Sequence, residues 1–351
     1  MNPVKLIKTP AILAVAMCMI SLAACSKKQT EPTEPARGSS KNQDEATVSS
    51  ITVNVQTAGA VGDGVTDDTW AFQAAIDEVH AAGGGTVYVP EGTYLIDADT
   101  SIRMKSEVYL DMVDSLRVLK VKPTASNRYN VIRMINISNS RVIGGKIIGD
   151  RYQHLATTGE HGMGVSIYGA YNCKVINTVI TDCWGDGITV GTQSIYGATN
   201  QSVNCVISGV ISRNNRRQGL TVGGVDSLIV VNSKFLYTNG TNPQAGIDIE
   251  PDSQTAERVY IKNCEIAHNA KVGIEMNAKT NTTAIIRNVT VEGNYIHHNT
   301  YSAYIQHVSY VKMYYNRLIN NDWNGSAPGG NGNVPYTNDA TFSVFTPNTY
   351  Q

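Results

Sequence analysis

Residues 244–252 read QAGIDIEPD and place three carboxylates, Asp248, Glu250 and Asp252, in one short stretch. Ile247 and Ile249 alternate with the first two, and alternate side chains of a strand point to opposite faces. The isoleucines then enter a core, and Asp248 and Glu250 share the outer face. Like charges on a shared face repel, so carboxylates held this close must raise one pKa, bind a cation or take a basic neighbour. Paired carboxylates supply the acid and base of glycoside hydrolysis. Acids with basic neighbours also suit β-elimination, which needs a base for the proton beside a substrate carboxylate and a group to neutralise that carboxylate.

Positioning such side chains is the task of a repeat. GVSIYG (164–169), GITVGT (187–192), GLTVGG (219–224), GIDIEP (246–251) and GIEMNA (273–278) share one pattern of Gly, apolar, polar, apolar, polar or small, and SAYIQH (302–307) fits it with Ser in the Gly place. Between them lie VINTVITDC, VISGVISRN, VVNSKFLYTN, YIKNCEIAHN, VEGNYIHHN and YYNRLINN. These segments also alternate, and most end near an Asn or Asp suited to a left-handed turn. A short strand, a turn and another strand per period of a little over twenty residues predicts an all-β parallel β-helix, single-stranded, over residues 51–321. A propeller needs four-stranded blades, and a sandwich does not repeat so regularly. The open end of such a coil needs a cover. TDDTWAFQAAIDEVHAAGGG predicts a capping α-helix within 66–82, with Thr66 or Asp67 as the cap, acids in its first turn, an apolar stripe of Phe72, Ile76 and Val79, and a stop at Gly83–Gly85. Asp63 and Asp67 read as turn and cap residues. Residues 322–351 read as a C-terminal loop or cap.

Register then sorts the outer face. Counting from each Gly, the second position gives the column Ser166, Thr189, Thr221, Asp248, Glu275 and Tyr304, with Arg133 before Ser166. The fourth gives Tyr168, Gly191, Gly223, Glu250, Asn277 and Gln306. Two positions before the Gly stand Gly162, Gly185, Arg217, Gln244, Lys271 and Tyr301. Neighbouring rungs lie roughly 4.8 Å apart, so Asp248 stacks on Glu275 with Glu250 beside them, and Arg217 or Lys271 is the basic neighbour. A calcium ion bridging Asp248, Glu250 and Glu275 is the other expected outcome. The glycines leave a smooth trough for a sugar chain, with Tyr168, Trp184, Tyr301 and Tyr304 at its rim to stack on sugar rings and Arg133, Asp186 and Arg216 as further binding groups. Thr189, Thr221 and Asn277 read as ordinary surface polarity. His161 lies on the loop entering its coil. His297 and His298 fall on the second kind of strand, face away from the column and read as structural.

A formal net charge of −1 leaves no electrostatic footprint for nucleic acid. Lys5 and Lys8, the apolar run AILAVAMCMISL and LAAC at Leu22–Cys25 follow one another in the order of an export signal. This arrangement resembles the lipobox of bacterial lipoproteins, which implies a signal over 1–25, lipidation of Cys25 and anchoring at the cell envelope, with the outer membrane expected. Residues 26–50, polar and rich in Pro and Ser, read as a disordered tether. Cys173, Cys183, Cys205 and Cys264 lack metal-site spacing, and three of them sit in apolar runs, which favours buried free thiols.

GAVGDGVTDDTWAFQAAIDEVHAAGGGTVYVPEGTYLI (59–96) resembles the opening of the pectate-lyase-like superfamily. Its members are right-handed β-helix proteins related to polygalacturonases, rhamnogalacturonases and phage tailspikes, and most act on polysaccharides, often acidic ones. The resemblance implies a right-handed coil and a polysaccharide partner. It does not bring a reaction: the polygalacturonase Asp pair, Gly-His-Gly and Arg-Ile-Lys are missing, as are the epimerase Asp-Pro-His and the Arg-x-Pro-x-x-Arg of calcium pectate lyases, while WGDGI has Asp186 alone and EHGMG sets His161 in other company. Three readings remain. In a lyase acting on a uronate polymer, Arg217, Gln218 or calcium neutralises and Lys271, Tyr304 or His161 is the base. In a glycoside hydrolase, Asp248, Glu250 or Glu275 supply acid and base. The third is a surface glycan binder without catalysis. C5-epimerisation shares the first step of the lyase.

Overall fold

The computed structural model describes residues 50–351 except 196–197, 280–282, 323, 326, 328–330, 339, 341–347 and 351. The lipobox with Cys25 and all but the end of the tether lie outside the described residues.

Three long sheets, of twelve, eleven and nine strands among the described residues, each take strands from successive coils. Pairing along each sheet is parallel, as in the coil Ala245–Ile249 against Gln218–Val222 on one side and Val272–Asn277 on the other. A small antiparallel ribbon, Gln193–Ile195 with Ala198–Asn200, stands apart from them. The alternating sequence accounts for this. On the nine-stranded sheet the inward residues Ile102, Ile132, Val165, Ile188, Leu220, Ile247, Ile274 and Ala303 fall in one register column, all fully buried. Burying each large aliphatic side chain stabilises by about 1.5–3 kcal/mol relative to exposure, and no single coil can do it alone.

The corners are made by residues that tolerate left-handed backbone. Asn177, Asn214, Asn232, Asn263 and Asn320 have φ between 51° and 55°, as the asparagine-ended segments predict. Inside two corners asparagines stack into ladders. Asn299 Oδ1 accepts from the backbone and side-chain nitrogens of Asn269, both at 3.0 Å, and Asn321 Oδ1 does the same for Asn299 at 3.2 and 3.0 Å. Asn294, Asn316 and Asn348 repeat the pattern. Each ladder pairs buried turn amides that no strand reaches.

The capping helix spans Thr69–Ala81 and buries Phe72, Ile76 and Val79 against the first coil, with the Phe72 and Tyr94 rings edge-on at 5.2 Å. It starts later than the sequence suggests. Asp63–Asp67 forms a strand, Asp68 takes the N-cap position, and no acid lies in the first turn. The Asp68 carboxylate accepts instead from the Val61 and Gly62 amides, while Asp67 Oδ1 accepts from the Thr69 amide at 3.1 Å. Asp63 closes a turn onto the Val65 and Thr66 amides. Gly83 and Gly84, at φ 95° and 124°, end the helix in backbone that favours glycine. The C-terminal stretch is more than a loop, since Tyr336–Asn338 and Thr349–Tyr350 add rungs to two sheets. The four cysteines among the described residues, Cys173, Cys183, Cys205 and Cys264, are free and buried.

Candidate functional site

The nine-stranded sheet carries the predicted column: Arg133, Ser166, Thr189, Thr221, Asp248, Glu275 and Tyr304 are register partners in that order. The column is covered rather than solvated, with Ser166, Thr189, Thr221 and Asp248 all buried. The cover comes from the corner before each strand, which folds Asp186, Arg217 and Gln218 back over the sheet.

Arg217 organises what lies there. Its Nη1 is 3.2 Å from Asp186 Oδ2 and its Nη2 is 2.7 Å from Glu250 Oε1. Nη1 also donates to Gln218 Oε1 at 2.7 Å, and Nε lies 3.7 Å from Glu160 Oε2. Gln218 Nε2 donates to Asp248 Oδ2 and, at 3.3 Å, to Glu250 Oε1. Thr221 Oγ1 donates to Asp186 Oδ2 at 2.7 Å. Burial raises the Asp186 carboxyl to about 6, against the pull of Arg217 and the Thr221 hydroxyl. Burial, then the charges of Glu250 and Glu275, push Asp248 well above the carboxylate range. Glu275 is raised by burial and by Glu250. The Asp248 carboxyl is therefore biased toward its protonated form, and Arg217 pairs with Asp186 and Glu250. The cluster does not suit calcium. A hard cation needs converging oxygens, and here the N–H groups of Arg217 and Gln218 point at them.

A groove of about 460 Å³ opens beside the cluster. Gly191 and Gly223 form its floor, Tyr168 and Arg217 its end, and Pro251–Gln254 one wall. A Cβ on Gly191 would lie 3.3 Å from the Tyr168 ring, so the floor depends on glycine there. Lys279 holds the wall, at 2.8 Å from Asp252 and 3.8 Å from Glu250. Off one end lies a small recess lined by Arg128, Asn130, His161, Met163 and Tyr168. His161 and Arg128 are register partners on neighbouring rungs, and Arg128 is exposed. Burial, then Arg128 and Arg217, lower the His161 pKa, so its imidazole is neutral at neutral pH. Burial, then Asp186, raises the Tyr168 phenol, which keeps its proton.

Other expected groups lie elsewhere. Trp184 is buried and offers no face to a sugar: its ring stacks on His154 at 4.0 Å and under Arg216 at 3.9 Å. Arg216 is engaged there and with the Gly159 carbonyl at 2.8 Å, yet it also lines a recess with Arg128 and His161, as the expected binding role requires. Lys271, Tyr301 and Tyr304 line a separate recess with Glu275. Among the described residues Lys271 forms no ion pair with Asp248 or Glu250; Glu250 pairs with Arg217 and, at 3.8 Å, with Lys279. Tyr301 is register partner of Val272, not of Lys271, because Ser302 holds the Gly place and Thr300 is the residue two before it. Tyr304 stacks on Tyr336 at 4.7 Å. Arg133 sits beyond the groove, on the rung before Ser166. Sequence reasoning missed Arg128, Glu160 and Lys279 and read Thr189 and Thr221 as surface. Arg128 opens the same strand as Arg133, Arg128–Ile135, but at an odd offset that simple strand alternation assigns to the other face.

Residues 52–113 match the family model described as rhamnogalacturonase A/epimerase, pectate lyase-like, and residues 240–338 match that of the right handed beta helix region. The uncharacterized protein YclG of Bacillus subtilis is 30% identical over 270 residues, 69% of this chain and 45% of YclG. Mannuronan C5-epimerase AlgE3 and alginate lyase 7 of Azotobacter vinelandii are each 53% identical over 62 residues, 16% of this chain and 3% and 7% of theirs. The chain spans less than half the length of these curated relatives. Among solved structures, the A-module of the Azotobacter vinelandii mannuronan C-5 epimerase AlgE4 aligns with a TM-score of 0.57 at 19% identity, covering 85% of this chain and 97% of that one. The bacteriophage phi29 gene product 12 aligns at 0.71 and 18% identity, covering 85% and 42%. At these identities the structures share the fold.

Proposed function

We propose, for a chain whose residues 52–113 match a pectate lyase-like family model and whose residues 240–338 match that of the right handed beta helix region, that the groove binds an acidic polysaccharide and cleaves it by β-elimination. The observation that carries this is the recess where Arg128, His161 and Tyr168 meet at the end of the groove. In this reading Arg128 neutralises the substrate carboxylate. Neutral His161 takes the proton from the carbon beside it. The bond from the next ring carbon to the glycosidic oxygen breaks, a double bond forms between the two carbons, and Tyr168 protonates the departing oxygen. Each group is in the protonation state its role needs. The acid cluster stays outside the proton transfers and holds the groove's shape through Arg217. The relatives named as a mannuronan C5-epimerase and an alginate lyase support a uronate polymer as the substrate class.

Hydrolysis is the second reading, favoured by one observation: Asp186, raised by burial to about 6, and Glu250 face one guanidinium, and paired carboxyl groups supply the acid and base of glycoside hydrolysis. The substrate class is tested by digesting a panel of acidic and neutral polysaccharides and measuring new reducing ends. Cleavage confined to uronate-containing polymers is expected, and cleavage of neutral polymers alone would overturn the proposal. We further propose that the chain acts at a bacterial cell envelope through a lipid on Cys25.

A further inference from the structure

On the eleven-stranded sheet, away from the groove, His268, His297 and His298 bring ligand nitrogens within 4.8 Å of one another. The backbone explains why sequence neighbours converge. His268 and His298 follow the strands Glu265–Ala267 and Tyr295–His297 with φ of 57° and 54°. Left-handed residues break strand alternation, so His298 turns toward the outward side that His297 already occupies. His268 stacks on His298 at 4.7 Å, and His297 stands edge-on to both, at 5.5 and 5.0 Å. His297 Nδ1 lies 2.8 Å from His298 Nδ1. Its other nitrogen, Nε2, is 3.5 Å from Glu265 Oε1, and Glu265 is held by Lys234 at 2.6 Å. A hydrogen on Nε2 toward the carboxylate leaves the Nδ1 lone pair facing His298. A carboxylate behind an imidazole is the arrangement that fixes the tautomer of a metal-binding histidine.

We propose that His268, His297 and His298 bind a divalent first-row transition-metal ion, with Glu265 as the positioning residue for His297. Three imidazoles select zinc, copper or nickel over calcium or magnesium, which take oxygen ligands. Tetrahedral zinc holds its nitrogens about 3.4 Å apart at bonds of about 2.0–2.1 Å, so small ring rotations complete the site, with a fourth position left for water. The ligands come from two successive coils, so the ion cross-links them.

Isothermal titration of the metal-stripped full chain with zinc, and with calcium as the control probe, tests this. A single equivalent of zinc and no calcium at the site is expected, with a rise in Tm that scales with free zinc. His298→Ala should abolish that equivalent, and Glu265→Gln should weaken it about tenfold or more. His161→Ala, in the groove, should leave it intact. Absence of zinc binding, binding unaffected by His298→Ala, or binding lost in His161→Ala would each overturn the proposal. Should His298→Ala fail to fold, Glu265→Gln carries the test, since it keeps the side chain's shape.

Discussion

At the scale of single residues the site is governed by one cation among several acids. Arg217 is largely buried and contacts Asp186, Glu250, Gln218 and, more distantly, Glu160. Asp248 lies beneath them without a cation of its own, and its Oδ1 is buried with no hydrogen-bond partner. Because the folded pKa of Asp248 is raised above its unfolded value, its contribution to stability is complete at low pH and is lost as pH rises through the folded pKa. Asp248→Asn removes that titration. The Tm of the variant relative to wild type should climb as pH rises above about 4, the ordinary aspartate value; a constant difference above that pH would show that Asp248 is ionised throughout. The sequence made the stacking of Asp248 on Glu275 legible, because strand alternation and the Gly-based count set register. It could not show that Arg217 rather than Lys271 neutralises the acids, or that Trp184 is covered. Those outcomes depend on how corner residues fold back over the sheet, which no period encodes.

At the scale of elements, asparagines close the corners and the aliphatic columns fill the coil. Asn299 both accepts from Asn269 and donates to Asn321, the Ile266 carbonyl and the His297 carbonyl. Asn299→Ala leaves several buried groups unpaired, at a cost of about 1–3 kcal/mol for each group left orphaned, and should lower the urea midpoint well below that of wild type. An unchanged midpoint would mean that solvent reaches the corner. The left-handed corners were legible in the sequence because asparagine tolerates that backbone. The ladders were not, since they require the same residue at the same corner of successive coils, and insertions vary the spacing. The helix lies within 66–82 as expected, but its cap is Asp68 rather than Thr66 or Asp67, because Asp63–Asp67 joins a sheet and long-range pairing outweighs a local capping signal.

At the scale of the whole molecule, a rigid coil presents a groove on one sheet and a histidine cluster on another. Cys25→Ser should release the protein from the membrane fraction with its Tm unchanged, and persistent membrane attachment would remove the lipid anchor from the account. The central claim is the chemistry of the recess. The most direct measurement incubates wild type and His161→Ala with uronate polymers and follows the ultraviolet absorbance of the unsaturated uronate. Wild type should generate that absorbance in step with new reducing ends, and His161→Ala should slow it by about a hundredfold or more without loss of Tm. New reducing ends without the absorbance, or equal rates in the two proteins, would contradict it.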